Sequence, residues 1–165
     1  MLPREVGRFH VGYIVVFERN MKAVVQRVSA ARVRVRDEVV GEIGPGLCVL
    51  LGVARGDEAA QAERLAGKIA RLRIFDDEDG RFDRSLLDVG GEALVVSQFT
   101  LLAELKKGTR PDFSRAAPPE VAEPFYEAFC EALRGLGVRV QTGEFGERMQ
   151  VEIVNDGPVT IVLDV

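Results

Sequence analysis

The chain has 165 residues, 47% hydrophobic and 29% charged, with a net charge of −4 and one histidine, His10. That is one domain with enough chain to bury roughly 70% of its unfolded surface. The acidic balance excludes a protein that coats nucleic acid through bulk charge, and a lone imidazole excludes a multi-histidine zinc site.

The first twenty residues differ from the rest. Arg4, Arg8 and the apolar run Val11–Phe17 suggest a signal peptide, but Phe17-Glu18-Arg19-Asn20 holds no small-residue cleavage site, and the run is too short to span a membrane. We read 1–20 as an N-terminal extension and 21–165 as the functional domain, opening at Met21; an extra strand or arm is the other reading.

Ala23–Val28 is β-rich, and Arg32–Arg36 alternates apolar and basic residues at the period of a half-buried strand. Val39–Ile43 is its expected hairpin partner, and Leu47–Val53 is apolar throughout, as suits a strand covered on both faces. Asp57 is the expected cap of a helix whose apolar stripe is Ala62, Leu65, Ala66, Ile69 and Leu72. An acidic turn follows at 75–80, without the alternating ligands of a calcium loop. Ala93–Val96 is another buried strand, and Lys106–Arg115 a basic loop, either a solvated face or a phosphate-contact patch. Pro118-Pro119 opens a second helix with Val121, Phe125, Phe129, Ala132 and Leu133 on one face, where Pro124 must delay the start or bend the first turn. Arg139–Thr142, Met149–Val154 and Val159–Val165 complete the strands, the last two joined by a tight turn at 155–158. The order predicts one mixed α/β domain without linker or repeat.

Cys48 in its apolar run and Cys130 on a helix read as buried structural thiols, and two cysteines suit a cytoplasmic protein. No metal or other cofactor is expected. Ser97-Gln98-Phe99-Thr100 leaves a buried strand where amides and hydroxyls can emerge, yet no base is at hand to activate Thr100. Read locally, both this segment and Asn155-Asp156-Gly157-Pro158 fit structural turns.

Together they carry more. SQFTLLA (97–103) and NDGPVT (155–160), with QRV (26–28), GEIGPGLCVLLGV (41–53), RIF (73–75), the G-x-RP-x-FS stretch (108–114) and TGEFGERM (142–149), resemble the D-aminoacyl-tRNA deacylases over 21–165. The resemblance implies a homodimer of three-layer β/β/α subunits with two main helices, acting on the aminoacylated 3′ end of tRNA in translation proofreading. It implies a cis Gly157–Pro158 bond and active sites at the interface, where that turn enters the partner's pocket and rejects L-aminoacyl groups. D-Aminoacyl-tRNAs, and glycyl-tRNA mischarged on tRNA-Ala, are the expected substrates, with assistance from the ribose 2′-hydroxyl. Amides around Phe99 and Thr100 become oxyanion donors. Ser97 and Gln98 orient the adenosine, and Thr100 positions water or carbonyl, covalent attack by Thr100 being the alternative. Met149 lines the pocket, Arg27 braces the turn, and Asn155 belongs to it; for Arg27 and Met149, an edge-strand charge and a core methionine remain open. A clade that edits mischarged alanine carries a PQATL-like segment instead of SQFTL. Alanyl-tRNA editing and a non-catalytic dimeric RNA-binding module are the competing functions.

Overall fold

The computed structural model describes residues 20–165 and, before them, only the backbone of a short antiparallel pair, β1 (Arg8–Phe9) and β2 (Gly12–Tyr13), which joins no other sheet. The remainder of the expected extension, with His10, lies outside the described residues.

Where two strands are expected, β3 runs unbroken from Lys22 to Val35. Its first half pairs with β5 (Gly46–Gly52) and its second with β4 (Glu38–Ile43). One neighbour, β10 (Gln150–Asp164), spans both halves and makes them a single element. Arg36 is not in the strand: Arg36 and Asp37, at φ 46° and 66°, form the two-residue turn into β4. β8 (Glu92–Ser97) and β9 (Arg139–Thr142) extend the sheet in parallel, giving the order β10-β3-β5-β8-β9 with β4 on β3.

Alternation along the central strands feeds two cores. Leu47, Val49, Leu51, Ala93 and Val95 face the helices; Cys48, Leu94 and Val96 face a second apolar cluster with Val33, Val35 and Ile43. Across that second cluster β4 packs on β8 and β9 without pairing to them.

Helix α1 (Ala59–Arg71) buries Ala62, Leu65, Ala66 and Ile69, but its cap is Glu58 in a box with Gln61, one residue later than expected. Asp57 instead accepts from the Ala54 amide at 2.8 Å, fixing the entry loop. The acidic turn closes a hairpin, β6 (Phe75–Asp76) and β7 (Phe82–Arg84), with the Asp77 carboxylate accepting from the Asp79 and Arg81 amides. A single-turn helix, α2 (Leu86–Val89), follows, capped by Ser85.

Helix α3 (Pro119–Gly135) starts at Pro119 and runs through Pro124. Its buried stripe is Ala122, Tyr126, Phe129, Cys130 and Leu133, whereas Val121 is exposed and Phe125 only half-buried. Tyr126 explains the rotation: its hydroxyl donates to the Val95 carbonyl at 2.7 Å, so a polar tip is satisfied beneath the helix.

The expected turn between two final strands is also absent as such. Both flanks of residues 155–160 belong to β10 and pair with β3, Asn155 opposite Val28 and Thr160 opposite Gln26. Asp156–Val159 is therefore an excursion from one strand, opposite Arg27, rather than a hairpin reversal.

Candidate active site

At the end of β8 the ladder continues one residue further, the Gln98 amide donating to the Leu51 carbonyl at 2.7 Å. The chain then tightens into a 3-10 turn, Phe99–Leu102. The opening N–H groups of such a turn, here of Phe99 and Thr100, have no partner within it. Beside this turn lies a cavity of about 520 Å³, within the usual range for small-molecule sites. Ser97, Gln98 and Phe99 form one side; Met149, Val151 and the loop Phe145-Gly146-Glu147 form another; Ala117, Pro119 and Ala122, at the start of α3, close it.

Thr100 does not line the cavity. It is exposed, and its hydroxyl accepts a hydrogen bond from the Gln98 side-chain amide, so it is tied to the rim through Gln98. The lining holds no histidine or cysteine, and Glu147 is its one acidic side chain. Both thiols are buried elsewhere; burial pushes Cys48 up to about 12 and Cys130 up to about 11, so neither supplies a thiolate near neutral pH. Among the described residues no cluster of metal-ligating side chains forms.

Asn155, Gly157, Pro158 and Arg27 form a second, separate cluster. The Arg27 guanidinium is buried and holds three elements: Nε donates to the Asp156 carbonyl at 2.9 Å, and Nη1 donates to the Ile74 carbonyl at 2.8 Å and to Asp76 Oδ1 at 3.1 Å. Phe82 lies under it, 5.7 Å from ring centroid to Cζ. Asn155 pins the excursion from within, its Oδ1 accepting from the Val159 amide at 2.7 Å and its Nδ2 donating to Thr160 Oγ1 at 3.1 Å. The Gly157–Pro158 bond is cis, and both residues are exposed.

One chain does not bring these clusters together. Arg27 pairs with Leu47 of β5, whereas Ser97 pairs with Leu51, and three strand spacings separate β10 from β8. At about 3.3 Å per residue and 4.8 Å per strand, the excursion and the cavity are on the order of 20 Å apart. Sequence reasoning gave Phe145 and Glu147 no role, although both lie in the TGEFGERM stretch (142–149) that carries the resemblance.

A largely apolar cavity with a few polar groups at one side, on an α/β scaffold, is the outline of a small-molecule site, and comparisons make it specific. The family model "D-Tyr-tRNA(Tyr) deacylase" matches residues 24–164. A D-aminoacyl-tRNA deacylase of Roseiflexus sp. (strain RS-1) is 65% identical over 144 residues, covering 87% of this chain and 93% of that one. Among solved structures, a c-Myc DNA unwinding element binding protein is 49% identical with a TM-score of 0.81, over 87% of this chain and 97% of that one. A probable eukaryotic D-amino acid tRNA deacylase, 20% identical with a TM-score of 0.79 over 88% of this chain and all of that one, shares the fold. The chain belongs to the D-Tyr-tRNA(Tyr) deacylase family. It is a hydrolase of the D-aminoacyl-tRNA deacylase type.

Proposed function

We propose that two copies of this chain, each a three-layer β/β/α subunit, form a homodimer in which the Gly157–Pro158 turn of one enters the cavity of the other. The shared site hydrolyses D-aminoacyl-tRNA to free D-amino acid and tRNA, a cytoplasmic proofreading reaction. The observation that carries this reading is a separation: no residue of the turn lines the cavity, and the turn is exposed on the outer strand β10 of the same chain, too far away to serve it. The rest of β10 supports it as well. Val154 and Val162 are 57% and 72% exposed on this edge strand, which calls for cover.

In the paired site the Gly157 and Pro158 carbonyls accept from the α-ammonium, which fixes the remaining directions at Cα. A D side chain points outward and is accepted whatever its size; an L side chain meets main chain, which no rotamer change relieves. Glycine has no side chain to refuse, so glycyl-tRNA mischarged on tRNA-Ala is a side substrate. Water attacks the ester carbonyl, the amides of Phe99 and Thr100 hold the oxyanion, and the bond to the ribose oxygen breaks, that oxygen taking the proton with 2′-hydroxyl assistance. An oxyanion donor contributes about 10²–10³ in rate, which suits an activated ester without a histidine base. Ser97 and Gln98 orient the adenosine and Met149 shapes the acyl side; Thr100, outside the cavity wall, acts on water or carbonyl through the Gln98 amide that its hydroxyl accepts from. Arg27 and Asn155 hold the turn.

The test is ester loss from D-tyrosyl- and L-tyrosyl-tRNA with purified protein. Rapid loss of the D ester with the L ester persisting is expected; loss of both, or of neither, overturns the reading. An alanine-editing enzyme would clear L-alanyl-tRNA, and a non-catalytic RNA-binding module would bind and leave every ester intact. Thr100→Ala is expected to stay within about tenfold of wild type, since loss of a true covalent nucleophile costs on the order of 10⁶ in a serine hydrolase. Complete loss, with acyl-enzyme trapped in the wild type, would reinstate Thr100 as nucleophile.

A further inference from the structure

Beyond Phe99 the surface changes character. Reciprocal backbone hydrogen bonds between Glu104 and Asp112, at 2.9 and 2.7 Å, close the loop 105–111. Two of the cations in and beside this loop are held internally: Lys106 Nζ lies 3.6 Å from Asp112 Oδ1 and 3.3 Å from Ser114 Oγ, and Arg115 Nη1 lies 3.1 Å from Glu104 Oε1. Lys107 and Arg110 are exposed and make no ion pair among the described residues, and Gly108, at φ 66°, turns the chain between them. Next to the loop stand two exposed rings, Phe99 (56%) and Phe113 (36%), with centroids 5.1 Å apart at 67°. Phe99 borders the cavity; Phe113 lies outside it.

We propose that Phe113, Lys107 and Arg110 form a platform for the unpaired nucleotides just upstream of the terminal adenosine, a base stacking on Phe113 and phosphates meeting the two cations. The proposal rests on the cavity being the aminoacyl-adenosine site, because a strand leaving it past Phe99 meets Phe113 next. An exposed ring flanked by free cations is the composition that holds single strands. In a chain of net charge −4, this positive tip is a local feature rather than a general basic character.

The platform is tested by fluorescence anisotropy with a labelled single-stranded RNA ending in CCA. Lys107→Ala/Arg110→Ala is expected to weaken binding about tenfold at low salt, and to flatten the salt dependence of log K by about 1.4, about 0.7 per single-strand phosphate contact. Phe113→Leu is expected to weaken binding about tenfold with an unchanged salt slope. Both variants should raise KM for D-aminoacyl-tRNA while leaving hydrolysis of D-aminoacyl-adenosine, which has no upstream nucleotides, as in wild type. Unchanged binding and KM would overturn the platform in favour of a solvated loop. Equal losses on both substrates would assign these residues to the cavity instead. Dissociation of the copies, read by size-exclusion chromatography, would assign Phe113 to a protein seam. If wild-type protein cleaves neither substrate, the deacylase reading fails on its own, and the anisotropy series still decides whether the loop holds RNA.

Discussion

Gly157→Ala is expected to lower kcat/KM for D-aminoacyl-tRNA by about 100-fold or more, the scale of an ångström-size displacement in a positioned site. Gly157 sits at φ 143°, a conformation L residues rarely adopt, and an added Cβ would stand 2.7 Å from Val159 Cγ2, 2.9 Å from the Val159 amide nitrogen and 3.3 Å from Arg27 Nη2. The turn must move, yet its neighbours resist: Val159 is buried and bonded to Asn155, and Arg27 is committed to Asp156, Ile74 and Asp76. Backbone strain of this kind costs about 1–3 kcal/mol, and each kcal/mol lowers Tm by about 2–4 °C in a domain of this size. Calorimetry should therefore find a folded protein with a modest Tm loss, while the deacylation assay finds little activity. Wild-type kcat/KM in this variant would show that the turn only shapes β10 and takes no part in recognition.

The same turn shows where local reading stops. Asn155-Asp156-Gly157-Pro158 has the composition of a reversal between strands, and residues 155–158 alone cannot distinguish reversal from excursion. The distinction lies in the partner: both flanks pair with β3, so the strand resumes instead of turning back. Ala23–Val28 and Arg32–Arg36 read as two strands for a similar reason: exposed Ser29 and Ala30 interrupt the alternation, while β10 holds the strand together across them. In α3 the periodicity was legible but its phase was not. Tyr126 is buried only because the Val95 carbonyl is there to accept its hydroxyl, a contact 31 residues away in sequence. By contrast, Leu47–Val53 and Ala93–Val96 read correctly from composition alone, since continuous apolar runs suit strands covered on both faces. The site follows this division. Ser97, Gln98 and Phe99 are neighbours in sequence and emerge together, whereas Phe145 and Glu147 reach the same cavity only through the path between β9 and β10.

Gly52→Ala tests the other half of the site. Gly52 ends β5 beneath the 3-10 turn, and an added Cβ would lie 2.6 Å from Leu102 Cδ2, 3.0 Å from the Gln98 carbonyl and 3.1 Å from Leu101 Cβ. Leu102 is buried against Ala54 and Ala116 and has little room to retreat, so the relief must come from the backbone of the turn itself. That backbone carries the amides of Phe99 and Thr100, the proposed oxyanion donors, and moving it would misdirect them without removing any side chain. Loss of one aligned donor costs about 10²–10³ in kcat, and a shift of the turn affects both. The expected result is a fall of about that size in kcat and a smaller change in KM. A Gly52→Ala enzyme with wild-type kcat would mean that these amides do not face the developing oxyanion, and the assignment of the rate-accelerating groups would have to leave the 3-10 turn.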